Sequence, residues 1–309
     1  MFASYSSLLC RRRSAVLFAI TILFAIPLPA RPPLNIPAGK AARSLSVRWQ
    51  PLRVVNGSPL IFRVTARQPL QSLSGKWLDH EVFFAFDPPR KAWYGIAGVS
   101  LETRPGVYPL ILQGTAAGGK QVTLQQMIPV RKGNYRKIAV TVPTRFTEPS
   151  PAQLQQISEE KTLKQSVFSR TTPDREWSGN FLPPVKAEIS DVFGTTRTIN
   201  GKEESVHQGL DYAVPQGTPV AALNRGTVLL ARPLFYEGTC IVLDHGQGLL
   251  SLYMHLSKIE VKEGDQITRG QKIGLSGGTG RATGPHLHIA VRWQGIYLDP
   301  ATLLQLRLP

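Results

Sequence analysis

From Leu45 to Val142 the chain runs as short segments rich in alternating apolar and polar residues: "SVRWQPLRVV", "PLIFRVTAR", "EVFFAFD", "AWYGIAGVS", "VYPLILQGTA", "QVTLQQMIPV" and "KIAVTV". Alternation places residues i and i+2 on one face of a strand, so each segment has a face to bury. Between the segments stand Asn56-Gly57, Asp87-Pro88-Pro89, Pro105-Gly106 and Gly118-Gly119. Glycine takes positive φ freely and proline cannot donate to a ladder, so each cluster ends a strand. Short strands at this spacing predict an immunoglobulin-like β-sandwich over residues 45–146. Trp49, Trp77 and Trp93 are expected in its packing, and His80, with no partner nearby in sequence, is assigned no role.

The period then changes. In "PSPAQLQQISEEKTLKQSVFSR" (149–170), Leu154, Ile157, Lys161, Lys164 and Phe168 follow three- and four-residue steps. Ser150 can cap and Pro151 can hold the first helical position, which predicts one helix within a linker over 147–179. Residues 180–309 return to short strands and Gly-rich turns, as in "TPVAAL-NRG-TVLLA" and "GQKIGLSGG". The expected fold class is therefore all-β with one linker helix.

The start of the chain reads as an export signal. "MFASYSSLLCRRR" is basic, "SAVLFAITILFAIPL" is an apolar run, and "PLPA" ends in a small residue at Ala30. That order predicts a signal peptide over 1–30 and a flexible leader over 31–44. The apolar run is short for a membrane span, and an uncleaved anchor is the alternative. The protein is expected in the periplasm or outside the cell, or held at the membrane if the signal stays. Cys10 lies before the apolar run, so Cys240 is the one cysteine left after cleavage. An internal disulfide and a thiolate zinc site are both excluded, and any metal must be held by His and carboxylates.

Charge is uneven. Residues 31–146 hold 17 Lys and Arg against 4 Asp and Glu, whereas residues 147–309 hold 16 of each. A basic domain outside the cytoplasm suits anionic envelope polymers or lipid head groups, and export argues against nucleic acid.

The last 103 residues contain five of the six histidines: His207, His245, His255, His286 and His288. In "GPHLHIAV", His286 and His288 share one face of a strand, about 7 Å apart. A lone H-x-H is often ordinary surface, but this clustering is not chance. Asp211 stands four after His207 in "HQGLDYAV", where Gly209 argues for a loop entering a strand. Two imidazoles and a carboxylate suit a catalytic zinc that keeps one position for water. His207, Asp211 and one member of the H-x-H pair would make that set; the other member and His255 remain for proton transfer and oxyanion support. Spacing alone leaves open which of His286 and His288 takes the metal.

The ordered motifs "HQGLDYAVPQGTPV", "GTVLLA", "IVLDHGQGLLSLYMHL" and "GDQITRGQKIGLSGGTGRATGPHLHIAV" resemble the lysostaphin-type (LytM-like) zinc metalloendopeptidases, over about residues 180–301. The resemblance implies a lysostaphin-type β-sheet or barrel-like peptidase domain over 180–309, zinc as cofactor and peptidoglycan cross-bridges as substrate. It implies that His207, Asp211 and His288 hold the metal and that His255 and His286 act on the reaction. It implies a structural place for His245, and a groove wall at Phe193, Gly194 and Arg197. "IAV" after the H-x-H and "LFYEGTCIVLD" depart from the common pattern. Some members have lost ligands and bind or activate wall amidases, so a non-catalytic envelope adaptor is the alternative function. A third reading makes the basic domain an envelope-binding module in its own right.

Overall fold

The computed structural model describes residues 44–201 and 203–309. The expected signal peptide, Cys10 and all of the leader before Ser44 lie outside the described residues. Among the described residues no helix is long and apolar enough to cross a membrane.

Nine strands form the first region: β1 (Leu45–Gln50), β2 (Val54–Val55), β3 (Pro59–Ala66), β4 (Leu70–Trp77), β5 (His80–Phe83), β6 (Ala85–Asp87), β7 (Ala92–Gly98), β8 (Gly106–Ala116) and β9 (Gln121–Arg131). One sheet runs β1-β3-β7-β6 and the other β2-β9-β8-β4-β5. Their inner faces share a core built on Leu60, Phe62, Val64, Trp77, Ile96, Leu110, Leu112 and Ile128. Phe62 of one sheet meets Trp77 of the other edge-on at 5.9 Å. The Trp77 indole N–H donates to Gly98 O at 2.9 Å, so its polar atom is satisfied inside the core. Strand β4 was not among the expected segments. Its "LQSLSGKW" buries only Leu73, Gly75 and Trp77, an alternation carried by a glycine and masked by polar outward residues.

The remaining elements are β10 (Lys137–Val140), α1 (Pro151–Phe168), β11 (Ile189–Asp191), β12 (Thr196–Ile199), β13 (Glu203–Val206), β14 (Leu210–Tyr212), β15 (Pro219–Ala221), β16 (Gly226–Leu234), β17 (Gly238–Asp244), β18 (Leu249–Leu256), β19 (Lys258–Ile259), β20 (Gln266–Ile267), β21 (Lys272–Leu275), β22 (Leu287–Trp293), β23 (Ile296–Leu298) and α2 (Pro300–Gln305). The main sheet runs β11-β14-β22-β18-β17-β16-β20, with β23 beside β22. Two three-stranded sheets flank it, β10-β12-β13 and β15-β21-β19. Strand β10, expected to belong with the sandwich, instead pairs parallel with β12. Its sequence is an ordinary strand sequence; a pairing partner is decided by tertiary contact.

Every residue of β18 is buried, because both faces of this central strand are covered. On one face Tyr253 joins Leu287, Ile289 and Trp293 of β22 in the main core. On the other, Leu250, Leu252, Met254 and Ala290 pack under Leu163, Val167 and Phe168 of α1. Helix α1 starts at a capping box in which Ser150 and Gln153 satisfy each other's backbone N–H. Only its C-terminal half docks: Leu154, expected on the apolar stripe, is 54% exposed.

The sandwich and the second region share one continuous core. Asp299 N donates to Gly57 O at 2.8 Å. Gln294 Nε2 donates to Glu81 O at 2.7 Å. His80 lies against Trp293, with ring centroids 5.0 Å apart, so it has a packing role that its isolation in sequence concealed.

Candidate metal centre

Cross-strand register assembles the site. Asp211 of β14 lies directly opposite His288 of β22, and His288 lies opposite Met254 of β18. Opposed residues of an antiparallel pair have Cβ atoms about 5 Å apart on one face, so Asp211 and His288 meet without any loop rearrangement. His207 follows β13 and is held by a reciprocal pair of bonds, His207 N to Thr195 O and Gly194 N to His207 O, each 2.8 Å. Gly209 makes room between them. A Cβ there would fall 2.3 Å from His288 Nε2 and 2.5 Å from Ile289 O.

Three ligand atoms converge. His207 Nε2 lies 3.2 Å from Asp211 Oδ1 and 3.1 Å from His288 Nδ1. His288 Nδ1 lies 2.6 Å from Asp211 Oδ1. Donors bonded at about 2.0–2.1 Å to one tetrahedral ion stand about 3.3 Å apart, so a small triangle of this kind fits zinc. The donor chemistry agrees, with two imidazoles, one carboxylate and no thiolate. His207 Nδ1–H donates to Val192 O at 2.9 Å, which fixes the tautomer and aims Nε2 at the shared point.

A chain of charge holds the carboxylate. Asp211 Oδ2 accepts from Arg197 Nη2 at 2.7 Å. The same Arg197 gives two bonds to Asp191 Oδ2, at 2.9 Å from Nε and 2.6 Å from Nη2. Asp191 Oδ1 accepts from Arg136 Nη2 at 2.6 Å and from Thr195 Oγ1 at 2.9 Å. Burial opposes ionisation of Asp211, but the hydrogen bonds and charges of His207 and His288 outweigh it and hold its carboxyl far below the usual range. Asp191 is likewise held low: burial opposes, and the bonds from Arg136, Arg197 and Thr195 prevail. Burial pushes the His288 imidazole down, against the pull of Asp211.

Two more histidines face the same point. His255 takes φ 60°, a left-handed conformation rare for a side-chain-bearing residue. The β17–β18 register shifts over the same stretch, between Thr239 and Ile241, so His255 sits in a bulge. Simple alternation would put His255 on the face opposite Met254; the bulge re-aims it. Its ring centroid is 4.8 Å from that of His286 and 5.9 Å from that of His288. Its Nδ1–H donates to Thr279 O at 2.8 Å, leaving Nε2 unbonded by backbone. Burial, then the neighbouring His288 and His286, push its pKa to about 3. His286 Nδ1–H donates to Gly284 O at 2.8 Å, and its Nε2 lies 3.9 Å from Asp211 Oδ1. These groups line a groove of about 370 Å³.

Residues 205–300 match the profile of peptidase family M23. The chain carries a peptidase family M23 domain. It is 38% identical over 147 residues to peptidoglycan DD-endopeptidase ShyA of Vibrio cholerae, covering 47% of this chain and 31% of that protein. It is 47% identical over 128 residues to peptidoglycan DD-endopeptidase ShyB of the same organism, covering 40% of this chain and 30% of that protein. The chain thus spans about a third of the length of these curated relatives. The solved structure of a Pseudomonas aeruginosa protein assigned to peptidase M23 matches at a TM-score of 0.61 and 27% identity, covering 82% of this chain and 95% of that one. That match extends beyond the M23 domain into the sandwich.

The M23 domain gathers all five residues that the sequence singled out, and it separates His245 from them. His245 is fully buried elsewhere, with Nδ1 2.7 Å from Arg225 O and Nε2 2.7 Å from Ser251 Oγ. Of the expected groove wall, Arg197 lines the groove, whereas Phe193 and Gly194 do not. Phe193 is buried against Tyr135, and Arg197 bonds the metal-site carboxylate itself. Asp191 and Arg136 carry no sequence signal of their own, and Gly209 signals a loop but not the room it leaves for His288. The usable hint is general: a buried Asp211 needs a cationic or metal partner, and strand β12 before it offers Arg197.

Proposed function

We propose that this chain is a zinc-dependent endopeptidase that hydrolyses peptide cross-links of peptidoglycan. The observation that carries the reading is the convergence of five side chains in an M23 domain. Three of them, His207 Nε2, Asp211 Oδ1 and His288 Nδ1, would hold zinc. Bound zinc lowers the pKa of a water toward about 7 and polarises a carbonyl.

The chain's own part in the reaction follows from hydrogen-bond direction. His286 and His255 each donate from Nδ1 to a backbone carbonyl, so each neutral ring offers its Nε2 lone pair to the groove. A proton leaving the attacking water is held at His286 Nε2 and passed to the amide nitrogen as the C–N bond breaks. His255, buried beside it with Nδ1–H committed to Thr279 O, offers its Nε2 lone pair to the attacking water and so orients it. Arg197 donates to Asp211 Oδ2 and so orients the carboxylate. The test is metal content with turnover. A protein with one bound zinc that releases no peptide from cell-wall material, and whose His286→Ala variant behaves like the wild type, would refute the reading.

We infer further that residues 1–30 direct export to the periplasm or beyond, or anchor the chain if they are retained; their basic, apolar and small-residue order supports this. The sandwich is read as immunoglobulin-like, supported by its strand order. Lettering β1, β3, β7 and β6 as A, B, E and D, the other sheet becomes A′-G-F-C-C′. Its excess of Lys and Arg supports contact with anionic envelope polymers or lipid head groups. Such contact weakens with salt, so sedimentation of the protein with envelopes should fall as ionic strength rises.

A further inference from the structure

Ile138, Val140 and Val142 lie more than sixty positions before the family-matched segment begins, yet they line the metal groove. Strand β10 reaches it by pairing with β12, so that Ile138 stands beside Arg197 and Val140 beside Ile199 on one face. The face carrying Arg197 looks toward Asp211, and Ile138 and Val140 therefore look the same way. Asn200 at the tip of the next turn locks the strand's end: its Oδ1 accepts from Val142 N at 3.0 Å, and its Nδ2 donates to Val142 O at 3.1 Å. On the same face Val142 and Ile199 pack with Phe146, and Val140, Phe235 and Tyr236 lie against that cluster. The wall is thus rigid, apolar and backed by aromatics.

Besides Arg197, which is paired with Asp191 and Asp211, the same groove holds a second cation. Arg281 lies with its guanidinium 4.8 Å from the Tyr236 ring, and its backbone N–H is tied to Tyr236 O at 2.9 Å. No carboxylate pairs with it among the described residues. A guanidinium held by a ring and left without an anion is disposed to accept a carboxylate in two parallel bonds.

We propose that β10, the strand joining the two domains, is a specificity wall of the active-site groove. Together with Arg281 it selects an extended peptide that carries a small apolar side chain near a free carboxylate. The side chain rests on Ile138 and Val140, and the carboxylate pairs with Arg281. This rests on the endopeptidase reading above, and it adds a determinant from outside the M23 segment.

The test uses full-length, zinc-loaded protein and a defined cross-linked muropeptide, with its free carboxylate either intact or amidated. Two variants keep the fold: Ile138→Thr/Val140→Thr, which retains β-branching, and the surface change Arg281→Gln. The wall variant should raise KM about fivefold on both substrates with kcat unchanged. Arg281→Gln should raise KM about tenfold on the free carboxylate and leave the amidated substrate unaffected. KM values unmoved in both variants, or an equal effect of Arg281→Gln on both substrates, would overturn the proposal. Calorimetric binding of the same peptides to zinc-loaded His286→Ala separates the two readings. Binding that follows the wall and Arg281 without any wild-type turnover leaves the groove assignment standing and removes the endopeptidase. Turnover with wall-independent binding does the reverse, and neither binding nor turnover removes both.

Discussion

His245 and the histidines of the metal site differ in where the second ring nitrogen goes. At the start of β18, His245 has both nitrogens on protein atoms, Arg225 O and Ser251 Oγ, each at 2.7 Å. Phe181 closes over its ring at 5.3 Å. At the far end, His207, His255 and His286 each give Nδ1–H to a backbone carbonyl and keep Nε2 for a common point. Burial is similar at His207, His245 and His255, at 3%, 0% and 7% exposed. Burial therefore does not separate structural from chemical histidines; an uncommitted nitrogen beside a carboxylate does.

The contrast is broken most severely by removing the carboxylate. Asp211→Ala should leave less than about a thousandth of the activity and drop zinc content from near one per chain to near zero, read by elemental analysis. His286→Gln should retain zinc and lose activity by roughly 10²–10⁴-fold, which separates proton handling from metal holding. Arg197→Gln leaves all three ligand residues present. It should weaken zinc affinity by about 10–100-fold in a chelator competition, with the melting curve of the loaded protein little changed.

His245 sharpens the comparison from the structural side. Burial pushes its pKa from 6.5 down to about 4. The unfolded chain then binds the extra proton first as pH falls, so the stability tied to neutral His245 is complete above about 6.5 and is lost on acidification toward about 4. Urea midpoints measured between pH 7 and pH 4.5 should fall with acid, and His245→Leu should flatten that slope. The same variant should cost about 1–3 kcal/mol at pH 7 by stranding Ser251 and Arg225 O, with zinc content unchanged.

Much of the fold was legible because alternation and turn residues are local. The segments "PLIFRVTAR", "AWYGIAGVS" and "VYPLILQGTA" correspond to β3, β7 and β8, and Ser150-Pro151 marks the start of α1. Strand β4 escaped because Gly75 holds one of its three buried positions. His207, Asp211 and the H-x-H pair could be singled out as candidates because their spacing is short and their chemistry shared. Arg136 could not, since 55 residues separate it from the Asp191 that it holds. Nor could the left-handed turn at His255, which no local signal distinguishes from ordinary strand.

Local sequence set the strand-rich class, the helix cap and the residue types able to hold a metal, because each depends on neighbours within a few positions. Tertiary structure alone decided that β10 leaves the sandwich to wall the groove, that Arg197 joins Asp191 to Asp211, and which nitrogen of each histidine stays free. Those outcomes depend on cross-strand register and on where distant carbonyls fall, and neither is encoded in the spacing of residues along the chain.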